Sequence, residues 1–313
     1  MSKVLIFGAG LRTKDTILPA LSLAASDFDA DFVTLSGNQL AMKNKKTKCF
    51  KFGFSKIDYS KYDLIIISVP QTEVCKVIDS IDTIRDTKVM IDTPVTRNIY
   101  VKTKNTSIKV MEDIIFLPFN DLIRNYGKIK KIVMRYSGYQ YHGVALAKNL
   151  INEKVVKSKS IRNVERDEII INFAQNKKVE IKNPRNYEKG YIEIIYEGDE
   201  RLVLGNKQTY EKFENSQIYI HGENLFFQNK DYKEKIQPLK ENINTNNFVE
   251  SIHFFKLLGL SSMFYRALNS AYEELPNISS CYEDYKITHN ITLINRLKWK
   301  YIKIKRKLIS INT

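Results

Sequence analysis

The feature that most constrains this chain is a short apolar run, Lys3 to Phe7, that ends in Gly8-Ala9-Gly10 and runs straight into a segment of helical period. Ile17, Leu18, Leu21, Leu23 and Ala24 recur at the spacing of one helix face. A strand passes into a helix over so few residues only where the backbone is free of a Cβ. In such a turn the first glycine permits the reversal, and the second lets backbone N–H groups approach an anion at the helix N-terminus. The third glycine of a G-x-G-x-x-G pattern is missing, because position 13 is Thr. The turn alone is a degenerate signal, and its context decides what it means.

That context is an alternation of short apolar strands with helices. Asp31–Leu35, Asp63–Val69, Lys88–Asp92 and Ser107–Glu112 read as strands, and Thr72–Ile84 as a helix. Continuous apolar strands separated by helices predict a doubly wound parallel sheet of Rossmann type, covered on both faces, over residues 1–116. Residues 117–313 read differently. A strand within Gly127–Tyr139 and a helix over Tyr141–Ile151 are followed by candidate strands at Glu168–Phe173, Lys178–Ile181, Tyr191–Tyr196, Arg201–Leu204, Gln217–Ile220 and Leu225–Gln228. A helical stretch over Thr245–Glu274 follows, so the second domain is expected to be α+β with a mainly antiparallel sheet. No internal repeat or low-complexity linker interrupts the chain.

At 313 residues and 43% apolar, the chain can bury two cores. No apolar run approaches the ~18–20 residues of a bilayer span, and the N-terminal residues lack the basic and apolar regions of a signal peptide. The expectation is a cytoplasmic protein. Cys49, Cys75 and Cys281 have no C-x-x-C spacing and read as free thiols. The formal charge of +15 suits a nucleic acid, a membrane surface or an anionic substrate. Its lysines are spread along the chain without a nucleic-acid motif, so no nucleic-acid partner is expected. The tail Asn295–Leu308 alternates basic with apolar residues, which fits either peripheral membrane contact or, more commonly, a basic tail packed on its domain. His221, His253 and His289 lack metal-ligand spacing, and no metal is expected.

Taken together, four stretches resemble the Gfo/Idh/MocA oxidoreductase family. KVLIFGAG…LPAL (Lys3–Leu21) is similar to that family's opening strand, turn and helix. YDLIIISVPQTEV (Tyr62–Val74) is similar to its strand ending in Pro-Asn-x-x-His, and KVMIDTPV (Lys88–Val95) to its strand ending in Glu-Lys-Pro. Lys109–Ile132 resembles the crossover into the second domain, with a Gly-x-Ile turn at Gly127–Ile129. The resemblance covers about the first 150 residues. It departs where the family's lysine aligns with Thr93, its glutamate with Asp92, and its histidine after Pro-Asn with Val74. The second-domain Asp and His positions hold Tyr141 and Ala145.

The resemblance implies hydride transfer between a nicotinamide dinucleotide and a sugar derivative, such as a nucleotide sugar of surface-polysaccharide synthesis, or a related carbonyl or imine. Gly8, Gly10, Leu11, Arg12, Ser36, Asn38, Val69, Pro70, Gln71 and Asp92 are the expected cofactor contacts. Ser36 and Asn38 stand where an NAD-specific domain carries an acid, and Lys43, Lys45 and Lys46 follow, so the expected cofactor is NADP, with NAD as the alternative. With the usual lysine and histidine absent, His142, Tyr141 and Thr93 are the candidate catalytic residues. The same absence supports a second reading, an inactive relative that keeps the fold as a nucleotide-binding or regulatory module. A homo-oligomer through the C-terminal sheet is the expected assembly.

Overall fold

A computed structural model of the chain describes residues 2–25, 27–35, 47–53, 56–81, 87–117, 120–137, 140–162, 167–183, 190–204 and 248–289. These divide into two compact units. The first holds residues 2–117 and 253–283, and the second holds 120–204, 248–252 and 284–289.

The core of the first unit is a parallel sheet of β1 (Ser2–Phe7), β2 (Phe28–Thr34), β3 (Cys49–Lys51), β4 (Leu64–Ile67), β5 (Val89–Asp92) and β6 (Lys109–Met111). The strands lie in the order β3-β2-β1-β4-β5-β6, and every pairing is parallel. β4 is buried along its whole length, as a strand covered on both faces must be. The order reverses between β1 and β4, which opens a crevice at the C-terminal ends of those strands.

The helix after β1 is the first to reach that crevice. It begins with a wide, π-type turn over Thr13–Ile17 and continues as α1 (Leu18–Ala24). Pro19 explains the wide turn, because it has no N–H to return to Asp15 and an ordinary turn would leave that carbonyl unpaired. α2 (Gln71–Ile81) follows β4 through Pro70. It buries Val74, Val77, Ile78 and Ile81, an i, i+3, i+4, i+7 stripe worth about 1.5–3 kcal/mol per side chain. α3 (Arg97–Thr103) joins β5 to β6.

The second unit contains α4 (Asn120–Tyr126), β7 (Ile129–Arg135), α5 (Gln140–Ile151), β8 (Val155–Arg162), β9 (Asp167–Phe173), β10 (Lys178–Asn183), β11 (Tyr191–Tyr196) and β12 (Arg201–Leu204). Its sheet runs β12-β11-β7-β10-β9-β8, antiparallel except for the β7–β10 pair. Alternation along the strands buries Ile132, Met134, Ile169, Ile171, Val179, Ile181, Ile192 and Ile194. Gly143 of α5 packs against Met134 and Ile181. The opposite face carries charge. Glu180 lies 2.9 Å from Lys131 and 2.8 Å from Lys178, and Glu168 lies 3.7 Å from Arg135.

α6 (Phe248–Leu268) and α7 (Ile278–His289) complete the described structure. Residues 253–283, expected with the second domain, group with the first unit. The Tyr272 hydroxyl donates to the Val89 carbonyl at 2.6 Å, and the Val110 N–H donates to the Pro276 carbonyl at 2.8 Å. The sequence pattern could not show this, since the partners lie more than a hundred residues apart. β3, β8, α3, α4 and α7 also escaped it, because they are short or rich in polar residues. Gln217–Ile220, Leu225–Gln228 and the basic tail lie outside the described residues. Cys49, Cys75 and Cys281 are free thiols. Among the described residues no helix is long and apolar enough to cross a membrane.

Candidate dinucleotide site

The turn after β1 is built around one backbone contact. Gly8 has φ +105°, a conformation that side chains resist, and a Cβ there would sit 2.1 Å from the Ser68 carbonyl oxygen at the end of β4. The Gly8 N–H donates to the Val33 carbonyl at 3.0 Å, and the Thr13 hydroxyl donates to the Gly8 carbonyl at 3.0 Å. The missing glycine of the fingerprint is thus replaced by a hydroxyl that closes the turn from inside the helix. Gly10 is different: a Cβ there meets no protein atom within 4 Å. The space beside it is open for a ligand to approach the backbone.

A cavity of about 310 Å³ lies at this place, within the size range of small-molecule pockets. Phe7, Gly8, Ala9 and Gly10 form one wall, Val33, Thr34, Leu35 and Phe52 another, and Ser68, Val69, Pro70, Glu73 and Val77 the third. Phe52 meets Phe7 edge to face at 6.3 Å. Leu35, just past β2, lines the cavity and is 72% exposed. Glu73 is paired with Lys76 at 3.0 Å. Gln71 follows Pro70, and its Oε1 is buried with no hydrogen-bond partner among the described residues. Cavity, open glycine and switch-point position together fit a dinucleotide, with pyrophosphate beside Gly10 and a nucleoside against the apolar walls.

Of the expected cofactor residues, Gly8, Gly10, Val69 and Pro70 line this cavity. Leu11 is 76% exposed just beyond it. Arg12 and Asp92 do not line it and instead bind each other. The Arg12 Nε donates to Asp92 Oδ2 at 3.3 Å, and Nη2 reaches the fully buried Asp113 at 3.1 Å. Burial works against the guanidinium charge, but Asp92 and Asp113 more than offset it and hold Arg12 above its ordinary pKa. Lys256 of α6 lies 3.3 Å from the other Asp113 oxygen, so two cations face two carboxylates. Ser36, Asn38 and the lysines at 43, 45 and 46 lie outside the described residues.

Thr93 follows Asp92, donates its N–H to Asp92 Oδ1 at 3.1 Å, and is joined to Pro94 by a cis peptide bond. Tyr141 and His142 belong to the second unit, in the first turn of α5, with ring centroids 4.3 Å apart. His142 is buried. Ala145 is buried as well. Sequence reasoning missed Ser68, Phe52, Asp113 and Lys256. Their roles come from partners far along the chain, and no local pattern marks them.

A Rossmann-like parallel-sheet unit followed by a mixed-sheet unit is a fold shared with solved dehydrogenases. The chain is similar in fold to a dehydrogenase from Chromobacterium violaceum, with a TM-score of 0.61 and 9% identity over 98% of each chain. It is also similar to a myo-inositol dehydrogenase from Corynebacterium glutamicum, with a TM-score of 0.51 and 13% identity over 82% of this chain and 94% of that one. No protein-family model and no curated protein matches the sequence.

Proposed function

We propose that this chain is a nicotinamide-dinucleotide-dependent oxidoreductase acting on a sugar derivative, with NADP(H) preferred over NAD(H). The observation that carries the reading is the cavity at the strand-order reversal, bounded by a Gly8 that admits no side chain and a Gly10 that faces open space. The cofactor preference rests on the sequence, which places no acid at Ser36 or Asn38. A bound dinucleotide supplies the hydride donor or acceptor, which the protein only has to hold and orient. Gly8, Gly10, Val69 and Pro70 hold it. A proton must also move to or from the substrate oxygen or nitrogen, and Tyr141 and His142 are the side chains proposed to exchange it. Thr93 is proposed to orient the substrate through its hydroxyl. The basic charge of the chain and the dehydrogenase fold favour an anionic sugar, such as a nucleotide sugar.

The test is dinucleotide binding followed by turnover. Titration of NADP(H) and NAD(H) against protein fluorescence should give saturable binding, and a panel of sugar nucleotides should give a change in nicotinamide absorbance. Binding without turnover on any substrate supports the second reading, an inactive nucleotide-binding module. Thr93 and Ala145 favour that reading, since neither side chain exchanges protons near neutral pH.

A further inference from the structure

Both ends of the Gly8–Gly10 turn are tied to the same carboxylate. On one side Gly8 rests on the Ser68 carbonyl, the Ser68 N–H donates to the Phe7 carbonyl at 2.9 Å, and the Ser68 hydroxyl donates to Asp92 Oδ2 at 3.1 Å. On the other side Arg12, two residues past Gly10, donates from Nε to that oxygen at 3.3 Å and from Nη2 to Oδ1 at 3.5 Å. The contacts close a ring that runs Gly8, Ser68, Asp92, Arg12, Gly10. Asp92 sits at the C-terminal end of β5, Ser68 just past β4, and Arg12 in the helical segment that follows β1. Asp113, past β6, takes the remaining hydrogen-bond contact of Arg12 Nη2 at 3.1 Å.

We propose that Asp92 is a positioning residue: its carboxylate anchors the glycine turn from both sides, through Ser68 and through Arg12, and holds it in the shape that receives a dinucleotide. Each Asp92 oxygen is occupied by donors from this ring and from Thr93, so Asp92 acts through the turn and not by exchanging protons with a substrate. The charged pair gives the ring its stiffness, since hydrogen bonds between ionised partners are about twice as strong as neutral ones. A turn held in advance leaves less ordering to be done when a ligand binds, which raises affinity. The consequence for affinity rests on the dinucleotide reading above, whereas the ring itself is a property of the free protein.

The experiment therefore has two readouts. Amide hydrogen exchange on the ligand-free protein follows residues 8–14, and fluorescence titration follows the dissociation constants of NADP(H) and NAD(H). Arg12→Gln and Ser68→Ala each cut the ring at one side, and Asp92→Asn weakens it at the centre. In Arg12→Gln and Ser68→Ala, exchange at residues 8–14 should rise at least ~10-fold while the central strands β1 and β4 keep their protection. The dissociation constant should rise by a similar factor. Adding Arg12→Gln to Asp92→Asn should weaken binding little further, since one ring breaks only once. Arg12→Lys should recover part of the affinity. Exchange and affinity within twofold of wild type in both Arg12→Gln and Ser68→Ala would overturn the proposal, as would faster exchange spread evenly over the first unit. If wild type binds neither dinucleotide, the proposed function falls, and the exchange measurement still decides the ring.

Discussion

Gly8 and Ser68 are in direct backbone contact, so close that a Cβ on Gly8 would lie 2.1 Å from the Ser68 carbonyl oxygen. This contact joins the chain just past β1 to the chain just past β4 at the reversal of strand order, and both residues line the cavity.

The two glycines of the turn should therefore respond to substitution in opposite ways. Gly8→Ala should destabilise the protein by about 2–4 kcal/mol, the sum of strain at positive φ and overlap with Ser68. Gly10→Asp should leave stability within about 0.5 kcal/mol, because the added Cβ meets no atom within 4 Å. It should abolish dinucleotide binding, since bulk and negative charge would occupy the pyrophosphate approach. Urea denaturation and fluorescence titration on both variants check this. Undiminished NADP(H) affinity in Gly10→Asp would remove the cofactor assignment.

Cofactor preference is the second outcome to measure. NADP(H) should bind at least ~10-fold more tightly than NAD(H), because a charged contact to the 2′-phosphate is worth roughly 1.5–3 kcal/mol. Ser36→Asp should invert the order. A wild-type protein that prefers NAD(H) would show that Ser36 and the lysines at 43, 45 and 46 do not hold a phosphate.

Tyr62 supplies a pH test. Its hydroxyl donates to the buried Asp31 at 2.8 Å, and Asp31 also accepts the Lys48 N–H at 2.8 Å, which fastens β3 to the sheet edge. Burial and then the Asp31 bond push the Tyr62 phenol above its ordinary pKa, and burial does the same for Tyr196 and Tyr272. Above pH ~10 the unfolded chain releases these protons while the folded chain keeps them. The folded state then binds more protons, so stability present below pH ~10 is lost as pH rises past it. Tyr62→Phe should cost about 1.5–3 kcal/mol at pH 7, the usual worth of a hydrogen bond to a charged group. It should also flatten the alkaline fall in stability. Denaturation midpoints from pH 7 to 11 for both proteins check the sign, and an alkaline slope unchanged in the variant would refute it.

Proton exchange at the substrate is tested on Tyr141 and His142. Tyr141→Phe and His142→Ala should each lower kcat by ~10²-fold or more, the scale of general acid–base work, with dinucleotide affinity nearly unchanged. His142 is buried, so its removal should also lower Tm. Tyr141→Phe keeps the ring, so kcat and Tm measured together on both variants separate proton exchange from packing. Full activity in both variants and in the double variant would leave the proton to water or to the substrate.

How much of this was legible beforehand follows from the range of the forces involved. β1, β4 and β5 could be read from KVLIF, DLIIISV and KVMID because a strand buried on both faces must be apolar at every position. The glycine turn could be read because its conformation is a property of two adjacent residues. The stripe on α2 could be read because its period is local. β3 was not legible, since its residues Cys49–Lys51 are half-exposed and too few to show a period.

The partners of the charged groups lay beyond any local pattern. Arg12 and Asp92 both stood among the expected cofactor contacts, yet they meet across 80 residues, and Arg12 meets Asp113 across 101. A charged side chain in a sequence has many equally good partners, and only the packed sheet, by bringing the ends of its strands to one edge, selects among them. By itself the sequence determined where β1, β4, β5, α2 and the glycine turn form, because those choices depend on neighbouring residues and on burial. The tertiary structure alone decided that Asp92 receives Arg12 and Ser68, that Thr13 closes the turn, and that residues 253–283 join the first unit. Those depend on distances between residues that the chain order leaves free and close packing fixes.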